Sequence, residues 1–467
     1  MLIRFNVKNF LSFNTTDEGK SVEFSMIGGK SSRKKEHFYD DEKIKLLKLA
    51  TIYGANASGK SNLVKALNFT KKTVINGIFP DGHTNKYCKL LESNENAPSY
   101  FEFEIKIKDR YYSYGFEAIL SKSEFISEWL IELSPNGKEN IIFSRDIVNG
   151  EYCYNSEIKK SSDKKKFDIY MDDIKEDGSA LFLKIMNQNK NSLYVDQKNQ
   201  SINALKEVFK WIKLNLDVNY PDKPISGYNY LLKSENVEEI CRIISSFGTG
   251  ITDFKMIDLE FSDVEKKLPQ EFRKRLLSDI EGMSRIKKEL EKDNKAAGNM
   301  IITARSDQHF FIFYIAKDGV SCKTIQFQHE KNNVFFDFAE ESDGTRRILD
   351  LIEILISMDG KTFVIDELDR CLHPVLTYRF IELFLKYAEK KNTQLIVTTH
   401  ESRLLDFNLL RRDEIWFVNK KNTGESELYS LEEYNERFDK KIDKAYLEGR
   451  YGGVPIFNTL FPVFKEE

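Results

Sequence analysis

The chain has 467 residues, with 71 basic and 74 acidic side chains and a formal net charge of −3 at pH 7. A hydrophobic fraction of 41% is enough for a sizeable core and excludes general disorder, and the balanced charge argues against a protein that coats a polyanion. Five separated cysteines without a CxxC or a Cys/His cluster predict neither a disulfide framework nor a zinc site. There is no signal peptide and no run of ~20 apolar residues, so we expect a cytoplasmic protein without a membrane span.

The pattern of apolar residues in the first 155 positions predicts mainly strands. Apolar residues that alternate with polar ones between Leu2 and Phe10 predict a half-buried strand. A short apolar run at 49–53 leads through a glycine loop into the helical spacing of residues 62–67. Between Tyr100 and Tyr154 the period is two, which predicts an antiparallel meander.

The residue composition and periodicity of the rest of the chain change twice. Residues 156–305 are polar and carry helical patterns, and the charged run 266–295 predicts a solvated helix pair because acids and bases are interspersed. After Ile312 an α/β pattern returns, with an apolar helical stripe at 348–356 and buried parallel strands starting at residues 362, 394 and 415. We therefore predict an α/β core interrupted by a mainly helical insertion, with the parts 1–155, 156–305 and 306–467.

The strongest motif is GxxxxGK[ST] at residues 54–61, placed between a strand and a helix. Its glycines let backbone N–H groups face a phosphate, and the helix that follows adds its positive end. Lys60 can reach the β- and γ-phosphates, and the Ser61 hydroxyl can bind Mg²⁺. The sequence thus predicts a nucleoside triphosphate site formed by Gly54, Ala55, Asn56, Ala57, Ser58, Gly59, Lys60, Ser61 and Asn62.

Three weaker motifs follow near the C-terminal end. Asp366 comes directly after the buried strand 362–365, where it would hold magnesium with Ser61, and Glu367 is placed to polarise the attacking water. His400 follows the next buried strand, where a γ-phosphate sensor would lie. Ser342 and Gly344 precede an apolar helix and can present a hydroxyl and amides to an anion, although Ser and Gly also commonly cap helices.

Together these motifs resemble ATPase heads of the ABC/SMC type, and more narrowly the OLD-like, RloA/AbiL-type "AAA" ATPases of prokaryotic antiviral loci. Asn9-Phe10-Leu11-Ser12-Phe13 resembles the start of SMC-like heads, and YLEGRYGGVP at residues 446–455 resembles the terminal segment of the stand-alone ATPases. The resemblance covers roughly residues 1–120 and 305–457. Leu372-His373-Pro374 departs from the Leu-Asp-Pro turn of ABC proteins but matches the OLD-like branch, and the signature lacks its second glycine.

The resemblance implies a P-loop fold with a mixed sheet and an antiparallel β subdomain, which uses ATP and Mg²⁺. It also implies that two heads enclose two ATP molecules. The P-loop and Asp366 of one protomer would hold the nucleotide, and Ser342 and Gly344 of the other would cap the γ-phosphate. Glu367 and His400 would be the catalytic residues of a slow, regulatory hydrolysis.

Only a short tail without an Asp-x-Asp pair follows His400, so we expect no Toprim nuclease domain. The favoured function is the ATPase sensor and scaffold of a two-component, abortive-infection type antiphage system. It would be a homodimer or higher homo-oligomer, triggered by DNA or a phage protein, that controls a separate toxin or nuclease. The alternative is an SMC-like DNA repair or DNA-scanning ATPase, although residues 262–300 permit only a short hairpin. A shorter ABC transporter subunit with a full signature fits less well.

Overall fold

The structure is a computed structural model. It describes residues 1–447 except 17, 32, 42, 135–138, 161–163, 195–197, 222–224, 226–229, 232–236, 269, 293–299, 306–308, 317–318, 331–332, 357–358 and 434–441. The predicted terminal motif at 446–455 therefore lies, beyond Leu447, outside the described residues.

In chain order, the strands and helices as far as Asn219 are β1 (Leu2–Lys8), β2 (Val22–Ser25), β3 (Phe38–Asp40), β4 (Lys45–Leu47), β5 (Leu49–Tyr53), α1 (Lys60–Asn76), β6 (Ser99–Ile107), β7 (Arg110–Ile119), β8 (Glu124–Leu133), β9 (Glu139–Asp146), β10 (Glu151–Tyr154), α2 (Ser156–Lys159), α3 (Lys164–Ile174), α4 (Phe182–Asn187), α5 (Asn191–Tyr194), α6 (Gln200–Lys210) and β11 (Leu216–Asn219). The later ones are α7 (Val237–Ser245), β12 (Ile251–Leu259), α8 (Phe261–Lys267), α9 (Gln270–Lys292), β13 (Met300–Arg305), β14 (Phe310–Ile315), β15 (Val320–His329), β16 (Phe335–Asp337), α10 (Asp343–Ile356), β17 (Thr362–Ile365), α11 (Pro374–Ala388), β18 (Gln394–Thr398), β19 (Ile415–Lys420), β20 (Ser426–Ser430) and α12 (Ile442–Leu447).

The chain divides into two compact units. Unit 1 consists of Met1–Asn219, Met358–Asp369 and Ile381–Glu467, and unit 2 of Tyr220–Ser357 and Arg370–Phe380. The boundaries that the sequence suggests near residues 155 and 305 stay predictions. Among the described helices, none combines the length and apolar composition needed to cross a bilayer.

A seven-stranded antiparallel sheet in unit 1 has the order β10-β9-β8-β7-β6-β1-β2. Strands β6 to β10 pair with their neighbours in sequence, as the predicted meander requires. β1 is more buried than its alternation suggests because it lies between β6 and β2. Its polar Asn6 is buried as well, and its side-chain amide donates to Glu102 Oε2 at 2.8 Å.

The second sheet of unit 1 carries the P-loop. Its order is β11-β17-β18-β5-β19-β20, and all neighbours are parallel except the β19–β20 pair. Every residue of β5, β17 and β18 is buried, which is why these strands are continuous apolar runs. The predicted α/β fold with a mixed sheet and an antiparallel β subdomain is confirmed.

Buried polar side chains link distant segments of unit 1. The side chain of Gln394 accepts from Leu2 N at 2.6 Å and donates to Leu2 O at 2.9 Å, which ties β1 to the start of β18. Arg145 and Glu128 form an ion pair at 3.0 Å, and both side chains are 0% exposed. Glu128 also accepts from the backbone N–H groups of Phe182 and Leu183, so it satisfies the first turn of α4.

Unit 2 contains an antiparallel sheet in the order β12-β15-β14-β13, with β16 paired to β15. Apolar residues of α8 and α9 pack with the sheet in a core that includes Val264, Leu276, Ile280, Phe311 and Phe313. The solvated helix pair predicted at 266–295 is wrong, because the described residues of this range hold only the end of α8 and one long helix, α9, whose Leu276 and Ile280 are buried. Residues 156–305 therefore hold the helices α2 to α9 together with the strands β11, β12 and β13.

Candidate functional site

The P-loop lies between β5 and α1 in unit 1. Lys60 is only 6% exposed, and its Nζ donates to Gly54 O at 2.7 Å and to Ala55 O at 3.1 Å. Burial lowers the pKa of Lys60 to about 8, although the carboxylates of Asp366 and Glu367 partly oppose this shift. The loop thus holds a desolvated ammonium group against its own carbonyls.

Two further features of the loop favour an anionic ligand. Gly59 has a φ of +115°, and a Cβ there would lie 2.1 Å from the Ser426 Oγ. This position therefore requires glycine. The buried hydroxyl of Ser58 has no hydrogen-bond partner within the described part of the chain. An unpaired polar atom in a glycine-rich turn fits a phosphate oxygen as its missing partner.

The parallel sheet brings the predicted magnesium ligands together. Ser61 Oγ donates to Asp366 Oδ1 at 3.2 Å, although the two residues are 305 positions apart. Asp366 Oδ1 also accepts from Thr398 Oγ1 at 2.6 Å, and the Asp366 N–H donates to Asn219 O at 3.0 Å. A hydroxyl and a carboxylate at this separation are oxygen donors of the kind that Mg²⁺ takes, so these residues fit the ion.

Glu367 follows Asp366 with an unusual backbone conformation. Its φ is +50°, in the left-handed region that non-glycine residues rarely adopt, and its N–H donates to Thr398 Oγ1 at 2.8 Å. One threonine hydroxyl therefore contacts both acidic residues, accepting from the backbone of Glu367 and donating to the side chain of Asp366. Thr398 was not predicted from the sequence, and its place at the end of a buried strand was the available signal.

His400 lies at the same edge of the sheet. Its backbone N–H donates to Asp369 Oδ1 at 3.2 Å, and Asp369 also accepts from Thr399 Oγ1 at 2.7 Å. Partial burial and the nearby positive charge of Lys60 lower the pKa of His400 below its usual value. This shift favours the neutral form of the imidazole. Asp369, which fixes this turn, was not predicted from the sequence either.

Two serines from distant segments brace the tip of the P-loop. Ser426 Oγ donates to Ser58 O at 2.5 Å and contacts Ser12 Oγ at 2.7 Å. The side-chain amide of Asn62, which the motif assigned to the nucleotide, donates to Ser12 Oγ at 2.7 Å. Ser12 belongs to the opening motif at residues 9–13, which was a usable signal, whereas nothing in the sequence distinguished Ser426.

Tyr446, the first residue of the predicted terminal motif, also reaches the P-loop. Its ring stacks on Phe417 with centroids 5.7 Å apart and meets Tyr53 edge-on at the same distance. Its hydroxyl hydrogen-bonds with the backbone of Gly54, while burial raises the pKa of Tyr446. The described start of the terminal motif therefore packs beneath the first glycine of the loop.

The predicted signature residues belong to unit 2. Ser342 is exposed, and its Oγ accepts from Thr345 N at 3.1 Å, so it caps α10 as the helix-cap interpretation requires. At Gly344 a Cβ would lie 3.1 Å from Cys371 O. Lys60, Asp366 and the other P-loop and strand-end residues belong to unit 1. Over the residues that the structure describes, there is no group of three or more His, Cys, Asp or Glu arranged to hold a metal ion.

Comparisons with solved structures give matches to SMC heads. The SmcHead bound to the C-winged helix domain of ScpA has a TM-score of 0.38 and 14% identity, over 92% of this chain and 97% of that chain. The SMC head domain from Thermotoga maritima has a TM-score of 0.36 and 14% identity, over 92% and 98%. The Smc head with an extended coiled coil, bound to the C-terminal domain of ScpA from Pyrococcus furiosus, has a TM-score of 0.33 and 15% identity, over 96% and 98%.

No curated protein matches the sequence. The OLD-like, RloA/AbiL-type subdivision stays a prediction. A family model described as "AAA domain, putative AbiEii toxin, Type IV TA system" matches residues 49–406, a range that includes the P-loop, Asp366, Glu367 and His400. Since this match spans most of the chain, the protein belongs to this family of AAA-domain ATPases.

Proposed function

We propose that the chain binds and hydrolyses ATP as the sensor and scaffold subunit of a two-component antiphage system, whose effector is a separate toxin or nuclease. The observation that carries the ATPase part is the meeting of Lys60, Ser61, Asp366 and Glu367 at one edge of the parallel sheet. The family description, which names a type IV toxin–antitoxin system, supports the defence context.

Nucleotide binding would use the groups that the P-loop already positions. Lys60 would exchange the carbonyls of Gly54 and Ala55 for phosphate oxygens, so a buried cation would gain an anionic partner. Residues 54–62 would surround the phosphates with backbone N–H groups. Ser61 and Asp366 would hold Mg²⁺, which neutralises charge on the phosphates when bound.

Hydrolysis would depend on Glu367 and His400. Thr398 holds the backbone of Glu367 in place through a hydrogen bond and so limits the positions of the Glu367 side chain. The carboxylate of Glu367 would then orient and deprotonate an attacking water. The neutral imidazole of His400 would hydrogen-bond the γ-phosphate. Ser342 and Gly344 of a second copy would complete the site, so an isolated chain would turn over slowly and the dimer would depend on ATP.

Glu367→Gln tests this mechanism, because it keeps the side-chain shape but removes the base. We expect it to abolish turnover and to accumulate an ATP-bound dimer, measured by light scattering after gel filtration in ATP and Mg²⁺. Glu389→Gln changes an exposed glutamate just beyond α11 and should behave as wild type. An unchanged turnover rate in Glu367→Gln would exclude Glu367 as the base.

A pull-down of the tagged chain from its host, in ATP and Mg²⁺, tests the partner. A stoichiometric second protein that is lost in Lys60→Ala would support the sensor–effector system. Mass spectrometry and a nucleic-acid assay of the same eluate identify what is retained. Recovery of DNA without a second protein would contradict the proposal and favour the alternative DNA repair or DNA-scanning ATPase.

A further inference from the structure

Unit 1 has a cavity of about 440 Å³ that the ATPase site does not use. Its lining includes two aromatic rings, Tyr39 and Trp211, the lysines Lys106 and Lys210, and the loop residues Gly360 and Asn392. Pockets for small organic molecules usually measure roughly 300–1,000 Å³. The cavity is therefore large enough for a ligand of one or two rings.

One wall of the cavity is an irregular segment of backbone. Residues Trp211–Asn215 form a π-helical turn between α6 and β11. The Asn215 side-chain amide donates to Gly360 O at 3.0 Å and so fastens this turn to the segment before β17. π-Helical turns are rare and are frequent at functional sites, which distinguishes this wall from an ordinary surface groove.

The same turn contains a buried donor that lacks an acceptor. Trp211 is only 4% exposed, and its ring meets Phe103 edge-on with centroids 6.4 Å apart. Its indole Nε1–H has no hydrogen-bond partner among the residues that the structure describes. Buried polar groups are normally paired, so an oxygen of a bound molecule would complete this site.

The charges around the cavity indicate an anion of low charge. Lys106 is paired with Asp41 at 2.8 Å, and Lys108 with Glu207 at 2.6 Å. Lys210 precedes Trp211 directly, and within the described ranges it forms no ion pair. Asp109 also lies at the rim, so one unpaired lysine matches a single negative charge better than a phosphate dianion.

We propose that this cavity binds a small aromatic carboxylate, whose oxygen accepts the indole N–H of Trp211 and whose charge pairs with Lys210. The aromatic ring of the ligand would pack against Trp211 and Tyr39. The carboxylate satisfies the unpartnered indole donor of Trp211 and pairs with Lys210, both in the described lining of the cavity.

The cavity is separate from the nucleotide site. Gly360 and Asn392 precede β17 and β18, whereas Asp366 and Thr399 follow those strands. The two sites therefore lie at opposite edges of one sheet. ATP and the carboxylate should bind without competing.

Calorimetric titration of the full chain with indole-3-carboxylate tests the proposal, with the nearly isosteric neutral indole-3-carboxamide as the matched ligand. We expect the carboxylate to bind at least about tenfold more tightly than the carboxamide, with an affinity that saturating ATP does not change. Trp211→Phe and Lys210→Met should each weaken binding by about three- to tenfold. Trp129→Phe and Lys213→Met, at residues outside the cavity lining, should leave it unchanged.

Trp211→Phe also has a distinctive effect on stability. It removes a donor that has no partner in the described part of the chain, so its urea midpoint without ligand should equal or exceed that of the wild type. Absence of binding at millimolar carboxylate, equal affinity for the carboxamide, unweakened binding by Trp211→Phe or displacement by ATP would each overturn the proposal.

Discussion

The hydroxyl of Ser426 is placed to control the shape of the P-loop. It is 4% exposed, lies 2.5 Å from Ser58 O and contacts Ser12 Oγ at 2.7 Å. Ser426→Ala removes this hydroxyl and leaves a small space without introducing a clash. The loop tip, which presents its N–H groups to phosphate, then loses the contact that joins it to β20.

The contacts set the size of the effect. Removing the donor of a buried hydrogen bond, so that its carbonyl is left unpaired, costs about 1–3 kcal/mol. We therefore expect Ser426→Ala to lower the free energy of unfolding by about 2 kcal/mol. If half or more of this energy keeps the loop in its binding conformation, the Kd for ATP should rise about five- to thirtyfold.

Urea unfolding and calorimetric titration with ATP and Mg²⁺ measure the two effects. Ser430→Ala is the matched control, since Ser430 ends the same strand, is 7% exposed and uses its hydroxyl to accept from Glu432 N. The control should lose at most about 1 kcal/mol and bind ATP normally. Wild-type ATP affinity in Ser426→Ala would refute the idea that this hydroxyl orders the loop.

Four further outcomes are expected. The affinity for ATP should be constant below about pH 8, where Lys60 is protonated, and should fall by up to about tenfold per pH unit above it. The ATP affinity of Lys60→Arg should not change over the same range. Equal Kd values at pH 7 and pH 9 in the wild type would contradict this prediction. Without nucleotide, the free energy of unfolding should rise between pH 8 and 10.5, because the unfolded chain retains the lysine proton that the folded chain has lost. Arg145→Met should lower the free energy of unfolding, measured in urea, by about 3–5 kcal/mol, because it leaves the Glu128 carboxylate buried without its cation. A decrease below about 1 kcal/mol would be inconsistent with this expectation. Gly59→Ala should abolish ATP binding in calorimetry, because its Cβ would clash with Ser426 Oγ at a position with positive φ. Its circular dichroism spectrum should stay native. Normal ATP binding by this variant would exclude the clash.

Local patterns of sequence were sufficient for the main elements of the fold and of the site. The apolar runs of β17 and β18 predicted buried parallel strands, and the short apolar run of β5 predicted the strand before the P-loop. The alternation after Tyr100 predicted the meander. The P-loop was equally accessible, since its glycines, Lys60 and Ser61 are contiguous. In each of these cases a few neighbouring residues determine the local backbone geometry, so a short stretch of sequence is enough to predict it.

Tertiary structure decided which remote polar side chains contact one another at the site. Ser12 and Ser426 are 414 residues apart, and Thr398 reaches Asp366 across two neighbouring strands. A serine in a strand has the same local pattern whether its hydroxyl meets a P-loop or water. The cavity at Trp211 has the same origin, because its walls come from segments as distant as Tyr39 and Asn392. Hydrogen bonds between remote segments depend on how strands are ordered in a sheet, and periodicity within one strand contains no information about its neighbours.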